Sequence, residues 1–375
     1  MKKTLAAVAV LGAFAGSAFA ANVTMFGVID TGLGYTSTDN GQTTSHLFDM
    51  RTGQNSAARF GLKGEEELGN GVKVGFNLEN GFKSDDGSLA TAGRLFDREA
   101  LIYVNGSFGE LGMGRQGEMA SGNGRYGVFG GKVSPFSTGW SDIGGHKYVM
   151  GAGFGRLDNA VTYKTPTFAG VNVLAQYSFK NSNLDENGVA IAGREGSSEA
   201  DRQYALGLTY TAGDLYLAGV VTQKNAKSAG LSDVDDPLTV SLGGNYDFGV
   251  AKVFVATQYF KDSGLAVAAA QGKDANKKSI QGEKFDGFGL TLGADVPAFG
   301  GTAKALVGYM DADDQAGEKD MQRYVVSVGY EYPLSKRTMV YAGAGYFQDH
   351  YDVKVTGYDD KASKTGVNMG LVHKF

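Results

Sequence analysis

The segment Val72-Lys73-Val74-Gly75-Phe76-Asn77-Leu78-Glu79 alternates strictly, with apolar side chains at every even position and Lys, Gly, Asn or Glu at every odd one. Side chains of a β-strand point alternately to its two faces, so the pattern predicts a strand with one apolar and one wet face. The alternation recurs at 157–163, 171–177, 206–210, 253–259, 324–330 and 340–347. No stretch of similar length has helical spacing, and we therefore expect an all-β protein.

Glycine is in excess throughout the chain. Of 375 residues, 58 are glycine and 5 are proline, whereas average usage predicts about 26 glycines. Collagen would need glycine at every third position together with abundant proline. Disorder is excluded as well, because 42% of the residues are hydrophobic and 11% aromatic. The composition indicates a folded, glycine-rich, tyrosine-rich architecture without a single compact core.

The charge balance and the absence of cysteine exclude several classes of function. There are 35 basic and 40 acidic residues, a net charge of -5, and no cysteine. No broad basic surface is expected, which argues against nucleic-acid binding. Without cysteine the chain has no disulfides, no thiolate nucleophile and no cysteine-ligated zinc.

The N-terminus has the features of a secretory signal. Lys2 and Lys3 precede an apolar run from Leu5 to Phe14, and Ala18-Phe19-Ala20 is a small-x-small cleavage signature. The run is too short to remain as a membrane span. We expect residues 1–20 to be a signal peptide removed after Ala20, and residues 21–375 to form the mature protein. The alternative is an N-terminal element retained in the fold.

The connections between the alternating segments are of two kinds, short and long, which alternate along the chain. Short ones carry turn residues: 105–107, 166–170, 212–214, 247–249, 297–300 and 333–335. Long ones are polar and charged: 181–200, 225–236, 262–282, 311–319 and 352–364. Short turns at one end and long loops at the other are typical of an antiparallel up-and-down transmembrane β-barrel in an outer membrane.

The segments amount to roughly sixteen strands of about ten residues. An even number returns both chain ends to the same side of the membrane. Aromatic residues lie near strand ends, as expected for girdles at the two lipid interfaces; the examples are Tyr210, Tyr259, Tyr330, Tyr332, Tyr341 and Tyr346. Ordinary strand propensity of aromatic residues is the alternative explanation.

Several segments together resemble the general porins of Gram-negative bacteria, with the proteobacterial branch most similar. The segments are 23–30, 58–71 with its Arg-Phe-Gly-Leu-Lys-Gly core, 98–103, 109–116, 156–163, Lys336-Arg337-Thr338 and the ending His373-Lys374-Phe375. The resemblance covers essentially the whole mature chain. It implies a homotrimer in the outer membrane, each subunit a barrel with its own water-filled pore. It also implies that the terminal Phe375 is read by the outer-membrane assembly machinery.

In that family the third long loop folds inward and narrows the channel. The corresponding stretch runs from about Gly117 to Gly155, the longest segment without alternation, and holds the single tryptophan, Trp140. A loop of this length inside a compact fold indicates a functional role. We therefore expect it to be the constriction loop.

Strand parity predicts which charged side chains face the lumen. If Val72 and Phe76 face lipid, Lys73 and Glu79 face the lumen, and the preceding strand turns Lys63 inward. The same argument turns three arginines inward: Arg59, Arg98 and Arg156. These match family positions that form a basic cluster opposite the constriction loop, and arginine keeps its charge at any relevant pH.

Carboxylates of the loop are expected on the other side of the constriction, with Glu118 and Asp142 as candidates. Such a pair of walls would create a transverse field that orients dipolar solutes and biases ion traffic. The alternative is that the arginines are solvated lumen residues far from any constriction. Pro135-Phe136-Ser137 lacks the acid that enterobacterial members place there. This departure weakens the acidic side and leaves open a mild anion preference.

No chemistry of catalysis, cofactor binding or metal binding is expected. The four histidines lack metal-ligand spacing, and the glycine patterns at 112–117 and 122–127 do not join a strand to a helix. The acidic runs 233–236 and 311–314 are candidates for binding calcium in outer loops. The alternative is that they are solvated loop surface without a bound ion, which is the more common case for such runs.

The predicted function is passive diffusion of small hydrophilic solutes and inorganic ions through an outer-membrane porin embedded in lipid. One alternative is a barrel that acts mainly as an adhesin or anchor through its loops, and another is a barrel hydrolase. The glycine excess fits this prediction, because glycines such as Gly61, Gly75, Gly207 and Gly293 would permit strong sheet curvature and keep the bore open.

Overall fold

The computed structural model describes residues 23–41, 43–185, 187–225, 236–267, 284–314, 319–353 and 358–375. The expected signal peptide and residues 233–235 of one acidic run lie outside these ranges. No helix within the described ranges is long and apolar enough to cross a bilayer.

Within these ranges, seventeen strands form a single antiparallel sheet. They are β1 (Thr24–Asp39), β2 (Thr44–Thr52), β3 (Arg59–Gly69), β4 (Val72–Gly81), β5 (Glu99–Gly106), β6 (Gly109–Gly117), β7 (Arg156–Lys164), β8 (Val171–Ser178), β9 (Arg202–Ala212), β10 (Leu215–Asn225), β11 (Leu238–Asp247), β12 (Lys252–Ser263), β13 (Phe285–Ala298), β14 (Gly301–Asp314), β15 (Lys319–Pro333), β16 (Thr338–Val353) and β17 (Tyr358–Lys374). The loop between β6 and β7 contains two short 3₁₀ turns, Gly130–Lys132 and His146–Val149.

The sheet closes on itself as a barrel with sixteen strand positions. β1 pairs with β17 from Val28↔Lys374 to Asp39↔Ser363. On its other side β1 pairs with β2 at one end and with β3 at the other, so β2 and β3 occupy one position between them. Every remaining strand pairs with its neighbours in sequence. The prediction of a sixteen-stranded up-and-down barrel is confirmed.

The outer face is apolar and the inner face carries small or polar residues. In β9, Tyr204, Leu206 and Leu208 are 42%, 59% and 48% exposed, while Ala205 between them is buried. A water-soluble sheet would bury these apolar residues instead. Because the exposed face is the apolar one, the surrounding medium of this wall must be lipid.

Two features differ from the sequence-based expectation. The segments 311–319 and 352–364, expected as long loops, are mostly strand, since β14 extends to Asp314 and β17 begins at Tyr358. Above the membrane both faces of a strand are wet, so the ladder continues where apolar alternation stops. Tyr341, expected in an aromatic girdle, is 3% exposed and donates a hydrogen bond to Asp30 in the lumen (2.7 Å).

Candidate functional site

The loop between β6 and β7, residues 118–155, folds into the barrel. The backbone N–H of Glu118 donates to the carbonyl of Gly155 (3.1 Å), which closes the neck of the loop. Beyond the neck, Phe136, Trp140 and Ile143 are at most 2% exposed and pack with wall residues of the same apolar cluster. The inward fold that the family resemblance implied is confirmed.

Buried polar groups hold the far side of this loop against the wall. Arg323 of β15 is fully buried, forms a bidentate pair with Asp349 of β16, and donates to the carbonyl of Tyr148 in the loop (2.9 Å). Gln258 of β12 accepts from the backbone N–H of Gly151 (2.8 Å). Some of the charged and polar side chains on the lumen face of the wall therefore hold the loop in place.

A second segment, residues 53–58 between β2 and β3, also protrudes into the lumen. Asp30 of β1, fully buried, accepts the backbone N–H groups of Asn55 and Ser56 (both 2.8 Å). The backbone N–H of Ser141 in the inward loop donates to the carbonyl of Gln54 (2.9 Å). The two inward segments thus meet, and the pore is narrowed from both. We call residues 53–58 the protrusion.

A cavity of about 770 Å³ lies between the protrusion, the inward loop and the wall. Arg59, Arg98 and Arg156 all line it, so the structure brings the three predicted arginines together. Glu79 contacts two of them, at 2.6 Å from Arg98 Nε and 3.5 Å from Arg59 Nε. Arg156 has a neutral partner, the Oδ1 of Asn123 (3.2 Å).

The loop side of this cavity also carries a cation. Lys147, in the 3₁₀ turn His146–Val149, lines the cavity together with the three arginines. Glu118 is the one carboxylate among the described lining residues, and it lies at the neck of the loop, where it accepts the backbone N–H of Gly155 (3.2 Å). The loop therefore brings both a cation, Lys147, and the expected carboxylate, Glu118, to the cavity that the three arginines line.

Asp142, the other carboxylate proposed for the constriction, is not brought to this cavity. Its carboxylate binds Arg51 Nη1 of β2 (2.6 Å) and the ammonium group of Lys364 in β17. Asp142 has φ 60, and its side chain points towards the wall that the loop contacts. Its position indicates that it anchors the loop.

The remaining predicted lumen residues lie on the strand faces that parity assigned. Lys63 and Glu79 line a second cavity of about 410 Å³ beside the arginines. Lys63 Nζ is 5.3 Å from the ring centroid of Phe26. Lys73 pairs with Glu65 (3.0 Å) at the turn end of the barrel, where both side chains are more than 40% exposed.

Sequence reasoning missed the cationic residues of the loop. Arg125 lines the second cavity, stacks on Tyr103 at 3.6 Å from the ring centroid, and is bidentate to Glu110. Parity assigns faces only to strands, so it could not place Arg125 or Lys147. The one available signal was the excess of Arg and Lys over acidic residues between 118 and 155.

The described residues contain no group of three His, Cys, Asp or Glu side chains that could hold a metal ion. The acidic residues 311–314 lie on β14 rather than in a loop. His146 is fully buried in the inward loop, where its Nδ1 lies 3.0 Å from the carbonyl of Ser137.

Comparison with known proteins agrees with the architecture. The sequence profile of the Gram-negative porin family matches residues 6–351. An outer membrane porin protein of Bordetella pertussis is 34% identical, and outer membrane porin protein 32 of Delftia acidovorans is 30% identical, each over 100% of both chains.

Two solved structures are also similar. An anion-selective porin from Comamonas acidovorans is 26% identical, with a TM-score of 0.67 over 95% of this chain and 100% of that one. The trimer form of OmpT from Vibrio cholerae has a TM-score of 0.61 over 95% and 100% of the two chains at 17% identity, which supports the fold alone.

The closed barrel, its lipid-facing outer wall, the water-accessible cavities inside and these similarities lead to one conclusion. The chain belongs to the Gram-negative porin family and is an outer-membrane porin, a channel for passive diffusion of small hydrophilic solutes and ions.

Proposed function

We propose that this porin prefers anions and that the 770 Å³ cavity controls the preference. The observation that carries the proposal is the charge around the cavity. Arg59, Arg98, Arg156 and Lys147 line it together with the carboxylate Glu118, and even with Glu79 paired to Arg59 and Arg98 the charge stays positive. An ion crossing this section passes cations on both the wall side and the loop side. The anion-selective relative from Comamonas acidovorans supports the same direction.

Distance and screening decide how strongly the charges of the cavity act on a permeating ion. At about 0.1 M salt the Debye length is about 10 Å, comparable with the width of a cavity of this volume, so a permeating ion is not screened from its walls. Low-dielectric walls also focus the field in the aqueous section. A net positive lining therefore raises the local concentration of chloride and small carboxylates and lowers that of potassium.

Reversal potentials of charge-removal variants test this proposal. Arg59→Ala and Lys147→Ala should each shift the reversal potential in a KCl gradient towards cations. Lys73→Ala is the matched control, because it removes the same charge from an exposed pair outside the cavity. Equal shifts in all three variants would mean that overall charge matters and that the cavity does not.

The assembly is proposed as a homotrimer held in outer-membrane lipid. The trimer form of OmpT, which shares the fold, supports the oligomeric state. Phe375 extends the barrel seam, since its backbone N–H donates to the carbonyl of Gly27 (3.1 Å) and its own carbonyl accepts from Gly27 (3.0 Å). An aromatic terminus at the closing strand agrees with a role in recognition by the assembly machinery. Removal of Phe375 should reduce trimer yield in the outer membrane while leaving secretion unchanged.

Catalysis has no part in this proposal. Fold and family are those of non-enzymatic channels. Ohmic current steps from the purified protein in a planar bilayer would support diffusion alone. Hydrolysis of ester or peptide substrates by the same preparation, abolished by His146→Asn, would instead favour a barrel hydrolase.

A further inference from the structure

Glycines on the inner wall lie under the backbone of the inward loop. A Cβ atom added to Gly289 of β13 would lie 1.5 Å from the carbonyl oxygen of Val149. At Gly345 of β16 the corresponding distance is 1.8 Å to the carbonyl of Ile143, and at Gly366 of β17 it is 2.0 Å to that of Asp142. Real Cβ atoms essentially never approach another heavy atom within 3.0 Å. Any side chain at these three positions therefore displaces the loop.

Backbone conformation does not explain these glycines. None of the three has a φ in the left-handed region, where glycine is favoured over other residues. They lie within regular ladders, where glycine weakens a strand by entropy and by lost packing. Close approach of another backbone is the remaining physical reason for glycine in a strand interior.

Each close approach is accompanied by a polar side chain that binds the same stretch of loop. Ser327 of β15 pairs in register with Gly345, and its Oγ donates to the Ile143 carbonyl (2.7 Å). Gln258 of β12 pairs with Gly289 and donates through Nε2 to the carbonyl of Ala152 (2.9 Å). The glycine lets the loop approach the wall, and the polar neighbour holds it there.

The series of glycines with polar neighbours continues onto the next strand, β17. Gly345 pairs directly with Gly366, and beside Gly366 the Asn368 side chain donates to the carbonyl of Ser141 (3.3 Å). The loop backbone from 141 to 152 thus follows glycine and polar residues across the wall. Lys147 lies within this stretch, so the place of the loop backbone fixes the place of that cation in the cavity.

We propose that Gly289, Gly345 and Gly366 are positioning residues that set the open cross-section of the channel. They let the loop lie against the wall and leave the rest of the lumen to water. The glycine excess of the sequence then has a second role besides curvature, because inner-wall glycines make room for a loop. The proposal rests on the channel function and identifies what determines its bore.

Gly345→Ala and Gly289→Ala test the proposal by single-channel conductance in planar bilayers. The Ile143 carbonyl would have to move by more than 1 Å away from the wall to clear a Cβ, which is towards the lumen, so conductance should fall. Gly219→Ala is the matched control. Gly219 of β10 pairs with the lipid-exposed Leu208 and Leu242. Its Cβ would lie 3.0 Å from the Leu242 Cδ2 side-chain atom and 3.9 Å from the Ser241 carbonyl oxygen, which is ordinary contact.

A milder pair of variants keeps the test decisive if these proteins do not fold. At Gly329 of β15 a Cβ would lie 2.9 Å from the Phe136 ring and 3.1 Å from the Trp140 ring, so the obstacles are side chains. Gly329→Ala should lower conductance, and adding Phe136→Leu should restore it. By contrast, Ile143→Ala should not restore Gly345→Ala, because the obstacle there is the carbonyl.

Unchanged or increased conductance in a folded Gly345→Ala or Gly329→Ala channel would overturn the proposal. Such a result is distinguishable from failure of the channel function itself, since in that case the unaltered protein and Gly219→Ala would give no ohmic steps.

Discussion

Asp142 Oδ2 of the inward loop binds Arg51 Nη1 of β2 at 2.6 Å, and the other carboxylate oxygen binds Lys364 of β17. A carboxylate that could have formed the acidic side of a transverse field is instead bound to two cations of the wall. The loop is anchored by this triad, while the cavity beside it keeps an excess of positive charge.

Asp142→Asn separates anchoring from selectivity. Loss of hydrogen bonds to charged groups should lower the stability of the docked loop by about 1.5–3 kcal/mol. The reversal potential should move little, and towards anions if at all, because a negative charge is removed. Thermal unfolding and reversal potential in the same preparation check both expectations. A shift towards cations as large as that of Lys147→Ala would contradict the anchoring role.

Deletion of residues 54–57 should widen the pore. Thr52 pairs with Thr31 and Arg59 with Val28, so six residues of the protrusion lie opposite two of β1. Removing four allows one continuous strand, and because four is even, Arg59 still faces the lumen. Single-channel conductance should rise.

Asn55→Ala is the control for this deletion, since it trims the side chain but keeps the backbone bonds to Asp30. It should leave conductance close to that of the unaltered protein. Equal conductance of the deletion variant and the unaltered channel would show that the inward loop alone limits flow.

Arg323→Leu should destabilise the barrel strongly. It removes the guanidinium group that is bound to the fully buried Asp349, and breaking a buried pair costs about 3–5 kcal/mol. Thermal unfolding followed by circular dichroism measures the loss. Lys73→Ala removes a solvent-exposed pair, which contributes little to stability, and serves as control. A similar unfolding temperature for both variants would mean that the buried pair is not a structural anchor.

His146 should make loop docking sensitive to acid. Burial between aromatic rings lowers the pKa of His146 from 6.5 to about 4. The docked loop favours the neutral imidazole of His146, whereas in the undocked loop His146 takes up a proton near its ordinary pKa of 6.5. The docked loop is therefore fully stabilised above pH 6.5 and loses stability as the pH falls from 6.5 towards 4. The emission of the single, buried Trp140 should shift to the red between pH 6.5 and 4. In His146→Asn this shift should be absent, and its persistence would point to another group.

The strand residues of the site could be predicted from sequence because side chains alternate with a period of two. That rule assigned Arg59, Lys63 and Glu79 to the lumen, and the structure places them on cavity walls. The strand ends were less predictable, since above the membrane the ladder continues through residues with no apolar alternation.

The loop residues could not be placed, because no local rule connects sequence to position in an irregular segment. Asp142 and Lys147 are five residues apart, yet one binds the wall and the other lines the cavity. Which of them faces the pore depends on the docking of the backbone against Gly345 and Gly366. The protrusion was not predicted, because no local rule distinguishes its polar residues from those of a surface turn.

The decisive measurement of the proposed anion preference is the reversal potential of the unaltered porin across a tenfold KCl gradient at low ionic strength. Four cations line the cavity, against the carboxylate of Glu118 in the lining and that of Glu79 paired with two of the arginines. This excess predicts a reversal potential with the sign of chloride-selective flow, and its magnitude should decrease as salt screens the cavity. A potential of the opposite sign, or none at any salt concentration, would show that the cavity does not make the channel prefer anions.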